Sequence, residues 1–472
     1  MKPAARLPWR VRLAGAMLAG LLVAGAGAHA AGREPWGTFE RPFAADSPWN
    51  IRPVDPVLDD YVIPRSSYYP LVGEGKYSLG VFLARPSDPP ITVYGLKPAG
   101  VWDPDAESHR ESVSVPHWPA EAVPAEGSDG HADIVDPAAG IIHSFFKLRR
   151  EQGRWVAMQY AWSRIDGRGW GDPAHYFQGA RAAAVPSMAG LIRKHEVNDG
   201  EPIYRHALAV SLTFNAMAAE PAFIFPATSA DHTAAKNTGR IPEGALLMLP
   251  PTFDTSRIAD PQLRKVADTL KVYGAYVVDR NVGTPFYIYV ENGSGFNLGR
   301  HGWNSSTAAQ LERIRQSLRQ VISAAGWVDG DGRRTLPDRK LNLLSMRGPW
   351  RLHSGEALGA YQTWEQAVVF PDTASRSVQI NASSRLLNPV YWARPAEGAP
   401  LRLTVRAQGG AKLRLHIYRK SDKATAFDSG ELGDGQSVEL KWPGQGMAAS
   451  IHAISGTGRP SRVGGELVER QD

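Results

Sequence analysis

The residues of this chain equipped to move protons are histidines and carboxylates set in turns beside short apolar runs. Ser128-Asp-Gly-His131 precedes Ala132-Asp-Ile-Val-Asp136, Arg205-His206 opens the run 207–214, and Asp231-His232 leads a polar loop carrying Lys236 and Asn237. That loop follows Ala222-Phe-Ile-Phe-Pro226, which reads as a second strand. An unperturbed imidazole has a pKa of about 6.5 and acts as a base near neutral pH. If 207–214 and 222–226 pair as antiparallel neighbours, His206 and His232 meet at one sheet edge with Asp231 beside them. Asp254, after Pro250-Pro-Thr-Phe253, and Asp279, closing Ala275-Tyr-Val-Val, add carboxylates at strand-to-loop transitions.

Such groups suit the cleavage of a glycan. Hydrolysis of a glycoside uses one acid and one base or nucleophile. Elimination needs a base together with a cation or amide on the sugar carboxylate, a set that Arg205, His206, His232, Lys236 and Asn237 would supply. Tyr160, Trp162, Trp170, Tyr176 and Trp303 offer flat apolar faces for sugar rings, although buried core is the ordinary place for aromatics. Turn formation alone accounts for Asp129 and Gly130. The three histidines lack metal-ligand spacing, and Asp329-x-Asp331-Gly332 lacks the later carboxylate of a calcium loop, so neither metal nor cofactor is expected.

Elements able to position these residues can be marked along the chain. Lys2, Arg6, Arg10 and Arg12 precede an apolar run that ends at Ala28-His-Ala30, the pattern of a secretory signal peptide over residues 1–30. No later run is long enough for a membrane helix. The formal charge of +6 falls to +2 without those four basic residues, and no dense Lys/Arg run points to nucleic acid. There is no cysteine, so stability must come from a packed core.

The 47 Gly and 36 Pro punctuate short apolar runs, which predicts a β-rich α+β fold with mainly antiparallel sheet and a few helices. Strands are expected at 78–83, 91–94, 132–135, 141–148, 155–163, 275–279 and 285–290, and 32–60 reads as an arm over the surface. Asp260-Pro261 opens a helix that Gly274 ends, and a second helix is predicted over 307–325. From about 344, six alternating runs at short intervals predict a separate β-sandwich. The expected division is therefore a main domain over 31–335 and a sandwich over 346–472.

Ala45-Asp-Ser-Pro-Trp-Asn50, Ser128-Asp-Gly-His131, Ala189-Gly-Leu-Ile-Arg193, Arg205-His-Ala-Leu208 and the run 241–289 resemble a family of secreted bacterial proteins. The resemblance covers 41–325, implies one folded unit there, and assigns no reaction. Where that family continues after Tyr-Gly into an Asp-Asn-Gly-Ser-Asp-Trp-like run, this chain has Asp279-Arg-Asn-Val-Gly; Asp279 matches and the second acidic position is absent.

The sequence therefore reads as a secreted polysaccharide-cleaving enzyme, hydrolase or lyase. Its expected catalytic residues are His131, His206, Asp231, His232 and Asp254, with Tyr160, Trp162, Arg205, Lys236 and Asn237 on the substrate. The second reading is a non-catalytic cell-envelope or glycan-binding protein.

Overall fold

Alternate residues of 207–212 fall into two apolar sets, and the chain buries both. Leu208, Val210 and Leu212 face one core with Leu263, Val266, Leu270, Leu311 and Ile314 from two helices. Ala207 and Ala209 face a second core with Trp49, Trp170, Tyr276 and Val278. Each fully buried large aliphatic side chain contributes about 1.5–3 kcal/mol. The strand Leu208–Thr213 is accordingly central, parallel to Ala275–Asn281 on one side and antiparallel to Phe286–Tyr289 on the other. The structure, a computed structural model, describes residues 34–171, 175–299, 305–337, 342–347, 350–381 and 395–470. The expected signal peptide and Trp303 lie outside the described residues.

The fold is β-rich with two helices among the described residues. The eight-stranded sheet also carries Leu71–Gly73, Leu246–Met248, Arg319–Val328 and Arg52–Leu58, with Arg334–Thr335 at its margin. A six-stranded sheet holds Ala132–Asp136, Ile141–Phe146 and Gln159–Arg164, and a four-stranded sheet holds Ile91–Gly95 and Arg154–Ala157. The run expected as one strand over 155–163 switches between these sheets at Met158. Past Trp350 the strands form two five-stranded sheets. Leu401, Leu403 and Val405 on one meet Leu413, Leu415 and Ile417 on the other.

Helix Pro261–Val272 forms as its ends dictate. The Asp260 side chain accepts from Leu263 N at 3.0 Å, and Gly274 takes the left-handed φ of +74°. The second helix is shorter than expected. It runs Ser306–Ser317, and Leu318 is already extended, so Val321 and Ile322 lie in the ten-residue strand Arg319–Val328. That strand supplies the antiparallel partner of Arg52–Leu58, a long-range demand that outweighs the helical spacing. The expected surface arm is also corrected. Residues 52–58 are a strand, and Phe43, Trp49 and Ile51 are 1% exposed. Trp49 stacks on Trp170 with ring centroids 4.9 Å apart, while Asn50 Nδ2 donates to Ala44 O at 2.8 Å to hold the turn.

Strand Val101–Asp103 and the turn that follows it tie the C-terminal module to the sheets before it. Asp103 Oδ2 accepts from Thr363 Oγ1 at 2.6 Å, and Asp105 accepts from Tyr176 N at 3.2 Å, Phe177 N at 3.3 Å and Gln366 Nε2. Glu107 pairs with Arg347 at 2.9 Å, both nearly sealed from solvent, and Ala106 packs in the C-terminal core. Asp105→Ala would leave several buried donors unsatisfied, each costing about 1–3 kcal/mol. The variant is expected to lose on the order of 2–4 kcal/mol in urea unfolding, whereas Asp422→Ala, at an exposed ion pair with Arg419, should leave the midpoint unmoved.

Candidate functional site

The site is built where the central parallel strands end. Val210 pairs with Val277 but Ser211 with Asp279, so Val278 is an extra residue and the Ala275–Asn281 strand bulges there. A bulge re-aims the next side chain. The Val278 carbonyl accepts from Ala183 N at 3.1 Å, which brings the 179–187 loop against the bulge. That loop is tight enough to exclude any side chain at Gly179, whose added Cβ would stand 2.0 Å from the Val185 and Pro186 backbone.

Arg181, on this loop, is 3% exposed and approaches Asp279 Oδ2 at 3.5 Å, with its guanidinium 4.0 Å from the centre of the Tyr289 ring. Its Nε and Nη2 have no hydrogen-bond acceptor among the described residues. Asp133, beneath it, accepts from Met188 N through Oδ2 at 2.7 Å and leaves Oδ1 without a partner among the described residues. The Asp129-Gly-His131 turn forms the adjacent wall. His131 is 2% exposed, with Nδ1 3.3 Å from Ser187 Oγ. Burial, aided by Arg181, lowers its pKa well below the ordinary imidazole value, so it is a neutral wall group.

Asp231 enters from the other side. Its Oδ1 accepts from Thr233 N at 2.7 Å and Thr233 Oγ1 at 2.6 Å, and lies 3.8 Å from Arg280 Nη2. Its N–H donates to Oε1 of fully buried Glu243 at 2.8 Å. Asp231 and Asp279 are each 18% exposed at the side chain. Burial raises the Asp279 pKa to about 6 against the pull of Arg181, with Asp129 and Asp231 adding to the rise. Asp279 is thus a carboxyl able to give or take a proton near neutral pH, paired with Arg181 and within the electrostatic reach of Asp231. Among the described residues no group of three or more His, Asp and Glu side chains is disposed to hold a metal ion.

Of the residues expected from sequence, the structure gathers His131, Asp231 and Asp279. It does not pair His206 with His232. The run 222–226 forms only a single bridge, Phe223 to Glu243, because both edges of Leu208–Thr213 are already taken. His206 precedes that strand, whereas Asp231 lies by Arg280, the register partner of Leu212. At about 3.3 Å per residue the two ends are roughly 20 Å apart.

His206 instead meets Glu196 at 3.2 Å. Burial works against its charge, but Glu196 outweighs it and raises the pKa, which makes the pair an internal ion pair. His232 is 91% exposed, Arg205 pairs with Glu201, Lys236 is exposed, and Asn237 is buried with Nδ2 on Ala218 O. Asp254 caps an exposed turn through Ser256 and Arg257. Tyr160, Trp170 and Tyr176 are core residues. Trp162 reaches a cleft of about 570 Å³ against the C-terminal module.

Arg181 and Glu243 went unmarked in the sequence. The one trace of Arg181 is a lone cation inside the small-residue run Gly179-Ala-Arg-Ala-Ala-Ala-Val185, where a charge must be buried and therefore partnered.

The Glu243 pKa is raised well above its ordinary 4.5, by burial first and then by Asp279. A carboxyl shifted this way adds stability that is complete below its unfolded pKa and is lost as pH climbs through the folded value. Glu243→Gln keeps the acceptor for Asp231 N–H and removes the titration. The variant should melt above wild type at about pH 8 and level with it at about pH 4, and thermal scans at the two pH values check this.

No protein-family model matches the chain, and no curated protein does. Among solved structures, the glycosylation-associated protein complex Gap123 from Streptococcus agalactiae aligns at 13% identity and TM-score 0.19 over 25% of this chain and 40% of that one. The chain therefore spans less than half of that structure's length. Accessory secretory protein 1, 2 and 3 of Streptococcus pneumoniae aligns at 7% identity and TM-score 0.19, over 25% of this chain and 90% of that one. A low-affinity xylan-binding module, CBM86 from Roseburia intestinalis, aligns at 10% identity and TM-score 0.18, over 26% and 89%. Likenesses at these scores carry no argument about fold or function.

Proposed function

We propose that the protein is an exported polysaccharide-cleaving enzyme acting by hydrolysis, with Asp279 as its acid and Asp231 as the carboxylate that activates water. The observation that carries this reading is the Asp279 carboxyl, partly exposed at a strand end, with its pKa raised to about 6 within the electrostatic reach of a second carboxylate. Environments that push neighbouring carboxyl groups apart are how one site supplies both an acid and a base. The Asp279 proton passes to the glycosidic oxygen as the C1–O bond breaks. Water adds to C1 and gives its proton to Asp231. Arg181, buried with its Nη1 3.5 Å from Asp279 Oδ2, favours the carboxylate that proton transfer leaves behind. Export rests on the leader pattern at 1–30, with delivery to the periplasm or the medium.

A non-catalytic glycan-binding protein is the second reading. It is favoured by one observation, the indole of Trp364, which is 47% exposed at the mouth of the Trp162 cleft.

Asp279→Asn and Asp231→Asn should each lower turnover by about 100-fold or more while the protein remains folded. Because the acid must be protonated, wild-type kcat/KM should fall as pH rises past about 6, and Asp279→Asn should abolish that limb. Turnover per folded molecule that is unchanged in both variants contradicts the assignment, and glycan binding without any cleavage moves the conclusion to the second reading.

A further inference from the structure

The cleft beside Trp162 is separate from the Asp279 cluster and has a chemistry of its own. Trp364 lies flat on Trp162, with ring centroids 4.4 Å apart and planes 12° apart, so one indole face is backed and the side chain stays half open to solvent. Its turn is held from both ends. Thr363 Oγ1 donates to Asp103 Oδ2 at 2.6 Å and Gln366 Nε2 donates to Asp105, both into buried carboxylates. Close approach is needed as well, since a Cβ at Gly464 would stand 2.8 Å from Gln366 O. A large exposed aromatic fixed in this way is pre-organised for a flat apolar ligand face, and its ordering cost has been met by folding.

The rim carries charges of both signs. Arg164, Arg406 and Arg462 line the cleft against Glu365 and Asp434. Arg164 is held by Asp166, Arg462 by Glu365, and Asp434 accepts from Ala407 N at 2.8 Å. Arg406 is exposed and has no ion-pair partner among the described residues. In the sheet it stands opposite Gly464, which leaves the floor beside it without a cross-strand side chain. A guanidinium with this freedom suits a carboxylate.

We propose that this cleft binds an anionic polysaccharide, with one sugar ring against Trp364 and a uronate carboxylate on Arg406. The inference rests on the glycan class proposed above and not on cleavage. It gives the C-terminal module a share in substrate capture, since Trp364 and Arg406 come from that module and Trp162 from the sheet before it.

Calorimetric titration of the full-length protein with hexagalacturonate, hexamannuronate and neutral cellohexaose tests it. One of the two uronate hexamers should bind more tightly than cellohexaose at low ionic strength, and the margin should shrink in about 1 M salt, where the Debye length is about 3 Å. Trp364→Ala should weaken that binding by about 10-fold or more with an unchanged melting temperature. Arg406→Gln should remove the preference for the acidic sugar. The titration reads binding through Trp364 and Arg406 and not product, so a failure of the cleavage reading leaves this result standing. Absence of binding by both uronate hexamers, or binding indifferent to Trp364→Ala and Arg406→Gln, overturns the proposal.

Discussion

Two aspartates at the end of strand Val101–Asp103, Asp103 itself and Asp105 in the turn that follows, determine how the C-terminal module meets the rest of the chain. Both are buried, and a buried carboxylate is tolerable only when donors surround it. Their donors come from both sides: Arg110, Tyr176 N and Phe177 N from the preceding sheets, Thr363 and Gln366 from the C-terminal module. Satisfying these charges therefore requires the module to dock in one orientation. Docking in turn fixes Trp364 against Trp162 and brings Arg406 to the same cleft. A polar requirement in the interior thus sets the geometry of a surface site.

The same balance between burial and compensation produces the Asp279 cluster, with a different outcome. Here the donors do not suffice. Arg181 reaches Asp279 at 3.5 Å with two of its nitrogens unspent, and Glu243 and Asp133 each keep an oxygen without a partner among the described residues. Carboxyl groups in such surroundings hold their protons to higher pH, as Asp279 and Asp133 do at about 6. Buried groups left short of partners cost stability, and clusters of this kind gather where proton transfer is needed. At Glu196 and His206 the charges are matched instead, so that pair lacks the unmet groups of the Asp279 cluster.

What could be read from sequence was mostly local. Asp260, Pro261 and Gly274 are end signals that act within a turn of the chain, and the helix between them forms as expected. Alternation along 401–407 and 412–418 likewise fixed the C-terminal strands, because a half-buried strand needs only its own pattern. Pairing is non-local, and there the reading failed. Nothing in 207–214 says that its neighbours come from 275–281 and 286–289, so the imagined contact between His206 and His232 had no support beyond adjacency in sequence. Val321 and Ile322 satisfied helical spacing and went to a strand for the same reason. Asp279 was visible as a strand-end carboxylate, but its acidity depends on burial and on Arg181, Asp129 and Asp231, distant in sequence and close only after folding.

The central claim is hydrolysis of a polysaccharide at Asp279 and Asp231. The measurement that bears on it most directly is incubation of the purified protein with a panel of neutral and acidic polysaccharides. Products should be followed both as new reducing ends and by the ultraviolet absorbance of unsaturated uronates. Reducing ends without that absorbance are expected, since water adds across the broken bond. Unsaturated uronate products, or a panel in which no chain is cut, would contradict it.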